Sequence, residues 1–186
     1  MLFMASTMII CERNGVSPGH TTENIKNMNW KALDDTTTPY SLYTSAIGLG
    51  TNSYVKYDYL KFSGSFTSIG NAKVTHISGN LPKGVVLMGS ASVTDAGKLQ
   101  YSTPTRLINN TLTPNNISSL NSAINLIIGP QLDNTDPAYS STKLNQADNT
   151  TGTLYSNYFL TQMQVASNAS IGDTGPISMQ ISWDES

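Results

Sequence analysis

Ile177-Ser178-Met179-Gln180-Ile181-Ser182-Trp183 (ISMQISW) alternates apolar and polar side chains without a break. On an extended chain successive side chains point to opposite faces, so this is the pattern of a strand with one face in a core and the other in water. A helix would scatter the same four apolar residues around its circumference. The closing segment is therefore expected to be a core strand. Outward from it the chain reads the same way. In 157–166 (NYFLTQMQVA), Phe159, Met163 and Val165 fall on one face. In 53–66 (SYVKYDYLKFSGSF), aromatic and β-branched residues crowd together, Leu60, Phe62 and Phe66 share a parity, and Gly64 leaves room for a passing backbone. Further strands are expected at 7–12 (TMIICE) and 72–78 (AKVTHIS), with shorter ones at 85–88 and 99–102. Asn14-Gly15, Gly70-Asn71 and Asp95-Ala96-Gly97 supply turn chemistry between them.

Three stretches read differently. At 113–129, Ile117, Leu120 and Ile124 stand at helical spacing behind Asn115 or Asn116 as an N-cap, which predicts a two-turn helix. The stretch 16–29 is polar and loop-like, an arm that Trp30 would pin to the core, and 39–50 holds at most a short strand through Leu42 and Ala46. The stretch 131–152 has Pro137, with Pro130 just before it, and many Asn, Asp, Ser and Thr, and reads as a surface loop or protruding hairpin. The expected fold is all-β: an antiparallel β-sandwich, jelly-roll or Ig-like, with at most one short helix. A single domain spans 1–186, with 16–29 and 131–152 as insertions.

Composition bounds the function classes. Of 186 residues 38% are hydrophobic and only 12% charged, against a usual ~25% charged. Ser, Thr and Asn make up roughly a third of the chain and replace charge on the surface. A net charge of −2 gives no electrostatic case for nucleic acid. No segment approaches the ~20 apolar residues of a membrane helix, and the apolar start 1–10 lacks the basic residue of a secretion signal. The single Cys11 has no internal disulfide partner and is expected to be a buried strand residue. Four Asn-x-Ser/Thr sequons, at Asn109, Asn116, Asn149 and Asn168, are the number chance places in so Asn- and Thr-rich a chain.

Groups that titrate near neutrality are scarce. His20 falls in an expected loop and His76 in an expected strand, both read as structural or exposed. Of three glutamates, Glu12 and Glu185 stand near the ends. Gly48-Leu49-Gly50 lacks the third glycine and following helix of a dinucleotide motif. Asp133, Asp136 and Asp148 share one loop but match no calcium-loop spacing. Tyr54, Tyr57 and Tyr59 include two rings on one strand face, the makings of a sugar platform, against which stands the commoner use of such rings as core. No catalytic, cofactor-binding or metal residue is nominated, and no cofactor is expected.

Several segments, in order along the chain, resemble a family of small virion structural proteins of tailed bacteriophages. They are Glu12-Arg13-Asn14-Gly15, the block Asn52-Ser53-Tyr54-Val55-Lys56-Tyr57, Lys61-Phe62-Ser63-Gly64-Ser65-Phe66 and Ile69-Gly70-Asn71-Ala72-Lys73. Near the end follow Tyr155-Ser156-Asn157-Tyr158 with Gln162 and Gln164, then 169–175 (ASIGDTG) and Trp183-Asp184-Glu185. Met1-Leu2-Phe3 departs from the pattern as an extension before Met4, and so does 131–152. The resemblance implies a β-sandwich, no enzymatic activity, and a place on the capsid surface of a virion assembled in a host cytoplasm. Its implied partner is the major capsid protein, which it would decorate and stabilise, with self-association as a dimer or trimer. It carries over no functional residue. Two other readings stand beside decoration: a head–tail connector, tail or baseplate component, and a carbohydrate-binding adhesion module using Tyr57 and Tyr59.

Overall fold

A computed structural model describes residues 6–17, 19–35, 45–91, 101, 103–106, 116–126, 151–170 and 175–186. The strands are β1 (Thr7–Asn14), β2 (His20–Glu23), β3 (Lys56–Ser65), β4 (Ile69–Ser78), β5 (Val85–Ala91), β6 (Ala123–Asn125), β7 (Thr151–Tyr155), β8 (Phe159–Val165) and β9 (Ser178–Glu185). They form two antiparallel sheets, one six-stranded in the order β2-β1-β3-β8-β5 with β7 also on β3, and one three-stranded in the order β6-β4-β9. The protein is an all-β sandwich. No helix occurs among the described residues.

The core between the sheets is built by period-two patterning. Leu60 and Phe62 of β3, Leu87 of β5, Leu154 of β7 and Phe159 of β8 meet Ile69, Ala72 and Val74 of β4, all buried. Met179, Ile181 and Trp183 of β9, with Ile177 just before it, pack onto the same cluster, and Phe62 meets the Trp183 indole edge-on at 5.5 Å between ring centres. The alternating closing strand is thus a core element, as its pattern predicts. Trp30 also packs on the core and donates its indole N–H to Thr161 Oγ1 at 3.0 Å, which pins the chain that follows β2.

The long strand β3 takes two consecutive partners on one side. Its second half pairs with β7 and its first half with β8. Between them Ser156 bridges the break, its backbone N–H donating to the Leu60 carbonyl and its Oγ accepting from the Leu60 N–H, each at 2.9 Å.

Four expectations are corrected. The stretch 16–29 is not wholly an arm, because His20–Glu23 forms β2, in register Asn14↔His20 to Cys11↔Glu23 against β1. Gly15 (φ 88°) and Gly19 (φ 72°) absorb the reversal, leaving β-compatible residues free to pair. Gly70-Asn71 is not a turn but part of β4, where a register shift between Gly70 and Lys73 and a φ of 50° at Asn71 mark a bulge. Ala46 lies outside any strand, while Leu42 is outside the described residues. Of the expected loop 131–152, residues 131–150 lie outside the described residues and Thr151 with Gly152 opens β7. The expected strand at 99–102 likewise falls largely outside them.

The helix expected from Ile117, Leu120 and Ile124 is the fourth. Asn116 instead bridges to Met88, a turn with Asn121 at φ 65° follows, and Ala123–Asn125 pairs with β4. His76 holds that turn from below. Its Nδ1 faces the Ile117 carbonyl at 3.1 Å, its backbone N–H donates to Ser122 O at 3.0 Å, and its carbonyl accepts from Asn121 N at 2.8 Å. Ile117 and Ile124 bury themselves in the inter-sheet core by flanking Gly89, where a Cβ would stand only 2.6 and 2.7 Å from their δ-carbons. Tertiary hydrogen bonds thus outweigh a weak local helix signal.

Gly84 sets how β5 starts beside the end of β8. It has φ 83°, and a Cβ there would meet the Ala169 Cα at 2.7 Å, a backbone atom that cannot turn aside. Gly84→Ala is expected to lower stability by about 1–3 kcal/mol. Urea unfolding checks this by a lower midpoint at unchanged slope.

Candidate functional site

Both faces of the six-stranded sheet are covered along the first half of β3, where every residue from Lys56 to Leu60 is buried, so the charged side chains there must find partners inside the protein. On β3, Lys56 and Asp58 share the inner-face parity of Leu60 and Phe62, and on β1 Glu12 shares that of Met8 and Ile10. The register places Glu12 directly across from Asp58. All three side chains are within the interior, at 2% exposure or less. Lys56 Nζ donates to Glu12 Oε1 at 2.7 Å and lies 3.3 Å from the Asp35 carbonyl. Segment 30–35 covers this end of the sheet: the Lys31 ammonium, also buried, pairs with Asp35 at 2.7 Å, and Asp34 accepts from the Gly15 N–H at 2.9 Å.

The electrostatics follow from burial. Neither oxygen of Asp58 has a hydrogen-bond partner, and desolvation, aided by the facing Glu12, pushes its carboxyl well above the usual range against the pull of Lys56. Burial pushes Glu12 up as well, and the Lys56 ammonium pulls it back. The arrangement is one ion pair, Glu12 with Lys56, next to a carboxyl that holds its proton more tightly than usual. It can hold that proton, but a substrate would have to displace 30–35 to reach it.

The opposite face carries an aromatic layer. Tyr57, Tyr59, Tyr101, Tyr155 and Tyr158 pack with Cys11, Met88 and Leu160. Their rings meet edge-on, Tyr57 with Tyr101 at 5.1 Å and Tyr59 with Tyr158 at 5.5 Å between centroids. Arg13 lies fully buried over the Tyr101 ring at 4.4 Å and donates to the Tyr158 hydroxyl at 3.2 Å.

The sequence candidates are not brought together. His20 stands exposed on edge strand β2, whereas His76 is buried on the other sheet between the carbonyls of Ile117 and Ser78. Tyr57 and Tyr59 have 4% and 0% of their surface exposed, so neither offers a ring face to a sugar. Asp133, Asp136 and Asp148 lie outside the described residues. Cys11 is buried as expected, and desolvation pushes its thiol up to about 12. The Glu12–Lys56–Asp58 cluster escaped sequence reading, although its signal was there: Lys56 and Asp58 occupy the apolar parity of their own strand. No family model, no characterised protein and no solved structure matches this chain.

Three outcomes follow from this chemistry. Lys56→Met strands the buried Glu12 carboxylate and is expected to cost about 3–5 kcal/mol in urea unfolding. Asp58→Asn acts in the opposite direction. Because the folded state holds the Asp58 proton more tightly than the unfolded chain, whose ordinary pKa is ~3.9, the native state loses ground as pH rises above that value. Asp58→Asn should therefore raise the urea midpoint at pH 7 and flatten its decline from pH 4 upward; an unchanged pH profile would refute the assignment. The Cys11 thiol should stay unreactive toward a disulfide reagent in the native protein and react once urea unfolds it.

Proposed function

We propose that this protein is a non-enzymatic structural component of a tailed-bacteriophage virion, seated as a decoration protein on the outer surface of the major capsid lattice and stabilising it. The resemblance along the chain supports the virion role. The carrying observation is where the charge lies. Glu12, Arg13, Lys31, Lys56 and Asp58 are all buried, in a chain with only 12% charged residues. The solvent face of the three-stranded sheet carries Asn71, Thr75, Ile77, Ala123, Asn125, Ser178, Gln180 and Ser182, with two charges, Lys73 near its centre and Asp184 at one end. Such a face loses little hydration energy when a protein surface closes on it. An interface of ~800 Å² per partner, repeated over a lattice, holds a shell even when one copy binds weakly.

The test is to sediment the purified chain with expanded and unexpanded heads of its own phage and count bound copies. Occupancy of every lattice position on expanded heads is expected, and Thr75→Arg with Asn125→Arg should reduce it at least about tenfold, the effect of ~1.4 kcal/mol. Binding only at one vertex, in a single ring, would instead place the protein at the head–tail connector and overturn the decoration role.

A further inference from the structure

Strand β9 lies at the border of its sheet, with β4 on one side and, among the described residues, no strand on the other. Eight residues of backbone are thus offered along one edge. Proteins commonly blunt such an edge with a proline, a bulge, a central lysine or a very short strand. β9 has none of these. Both irregularities in the β4–β9 ladder place their extra residue in β4, between Gly70 and Lys73 and between His76 and Ser78. Its only charges, Asp184 and Glu185, stand together at one end. The inward row Ile177, Met179, Ile181 and Trp183 packs on the core yet stays only half-buried, so among the described residues nothing closes the sandwich sideways along this strand.

We propose that this edge is the interface of a homodimer, in which β9 pairs antiparallel with β9 of a second copy across a two-fold axis and joins the two three-stranded sheets into one. The pattern of the strand selects that occupant. With the axis at Ile181, Met179 faces Trp183 of the other copy and Gln180 faces Ser182, so apolar rows merge inside and polar rows outside. The carboxylates select the direction. Antiparallel pairing sends Asp184 and Glu185 to opposite ends of the ladder and sets Asp184 across from Ser178, whereas parallel pairing would stack four carboxylates side by side. Because a two-fold contact uses the same patch on both copies, it consumes both edges and stops at two chains. The dimer does not depend on the virion role and would exist in solution without a capsid.

Sedimentation equilibrium of the full chain over a concentration series reads this directly, with far-ultraviolet circular dichroism as the check on folding. A dimer is expected for the unaltered protein. Gln180→Lys with Ser182→Lys changes only the solvent-side row and sets ammonium against ammonium across the axis. It should weaken association by about tenfold or more and recover in part at high salt, with an unchanged β-sheet spectrum. Amide exchange on the unaltered protein gives a second reading free of any variant: protection in 178–185 should rise with concentration. A chain that remains monomeric at every concentration, or a dimer indifferent to both lysines, overturns the proposal.

Discussion

The first half of strand β3 is walled in on both faces, and much of the structure is arranged around that constraint. Its inner parity runs Lys56, Asp58, Leu60, Phe62, and its outer parity carries Tyr57 and Tyr59. A strand with one wet face could turn its charges to solvent. Here neither face is wet between Lys56 and Leu60, so Lys56 needs an anion and finds Glu12, one strand over. The second carboxyl in the row, Asp58, has no cation of its own, and burial pushes its pKa well up.

The energetic sense of such a cluster lies less in stability than in placement. A buried ion pair often contributes no more than apolar residues of the same volume, because desolvation cancels much of the attraction. What it does enforce is register. A slip of one residue between β1 and β3 would move Glu12 off the inner row, away from Lys56, and turn Arg13 from the tyrosine layer into the apolar core. The closure by 30–35, through Asp35 and Trp30, then follows from the need to cover polar groups that the three-stranded sheet does not reach.

Burying charge also shapes the outside. With several ionic groups drawn in, the exposed sheet face is mostly uncharged, Lys73 and Asp184 being its charges, and the border strand β9 carries its charges at one end only. Both features underlie the interfaces proposed above. The fold places them side by side, the flat face on β4 and β6 and the open edge on β9.

Much of the sandwich was legible in the order of residues. The alternation in ISMQISW, the shared parity of Leu60 and Phe62, and the anchoring role of Trp30 each depend only on the two-residue period of a strand or on the size of one ring. The positions that misled were those where local chemistry is indifferent and distant partners decide. Ile117, Leu120 and Ile124 fit a helix or a turn equally well until His76 fixes the backbone beneath them. Gly70-Asn71 tolerates a turn or a bulge, and the pairing with β9 chooses the bulge. The inward placement of Lys56 and Asp58 was written in their parity. That their face is closed, that Glu12 is the partner and that Asp58 stays unpaired depend on which strands lie next to β3 and what covers them, contacts between residues far apart in the chain. Periodicity is a local property of one strand, whereas burial of a charge is a property of everything packed against it.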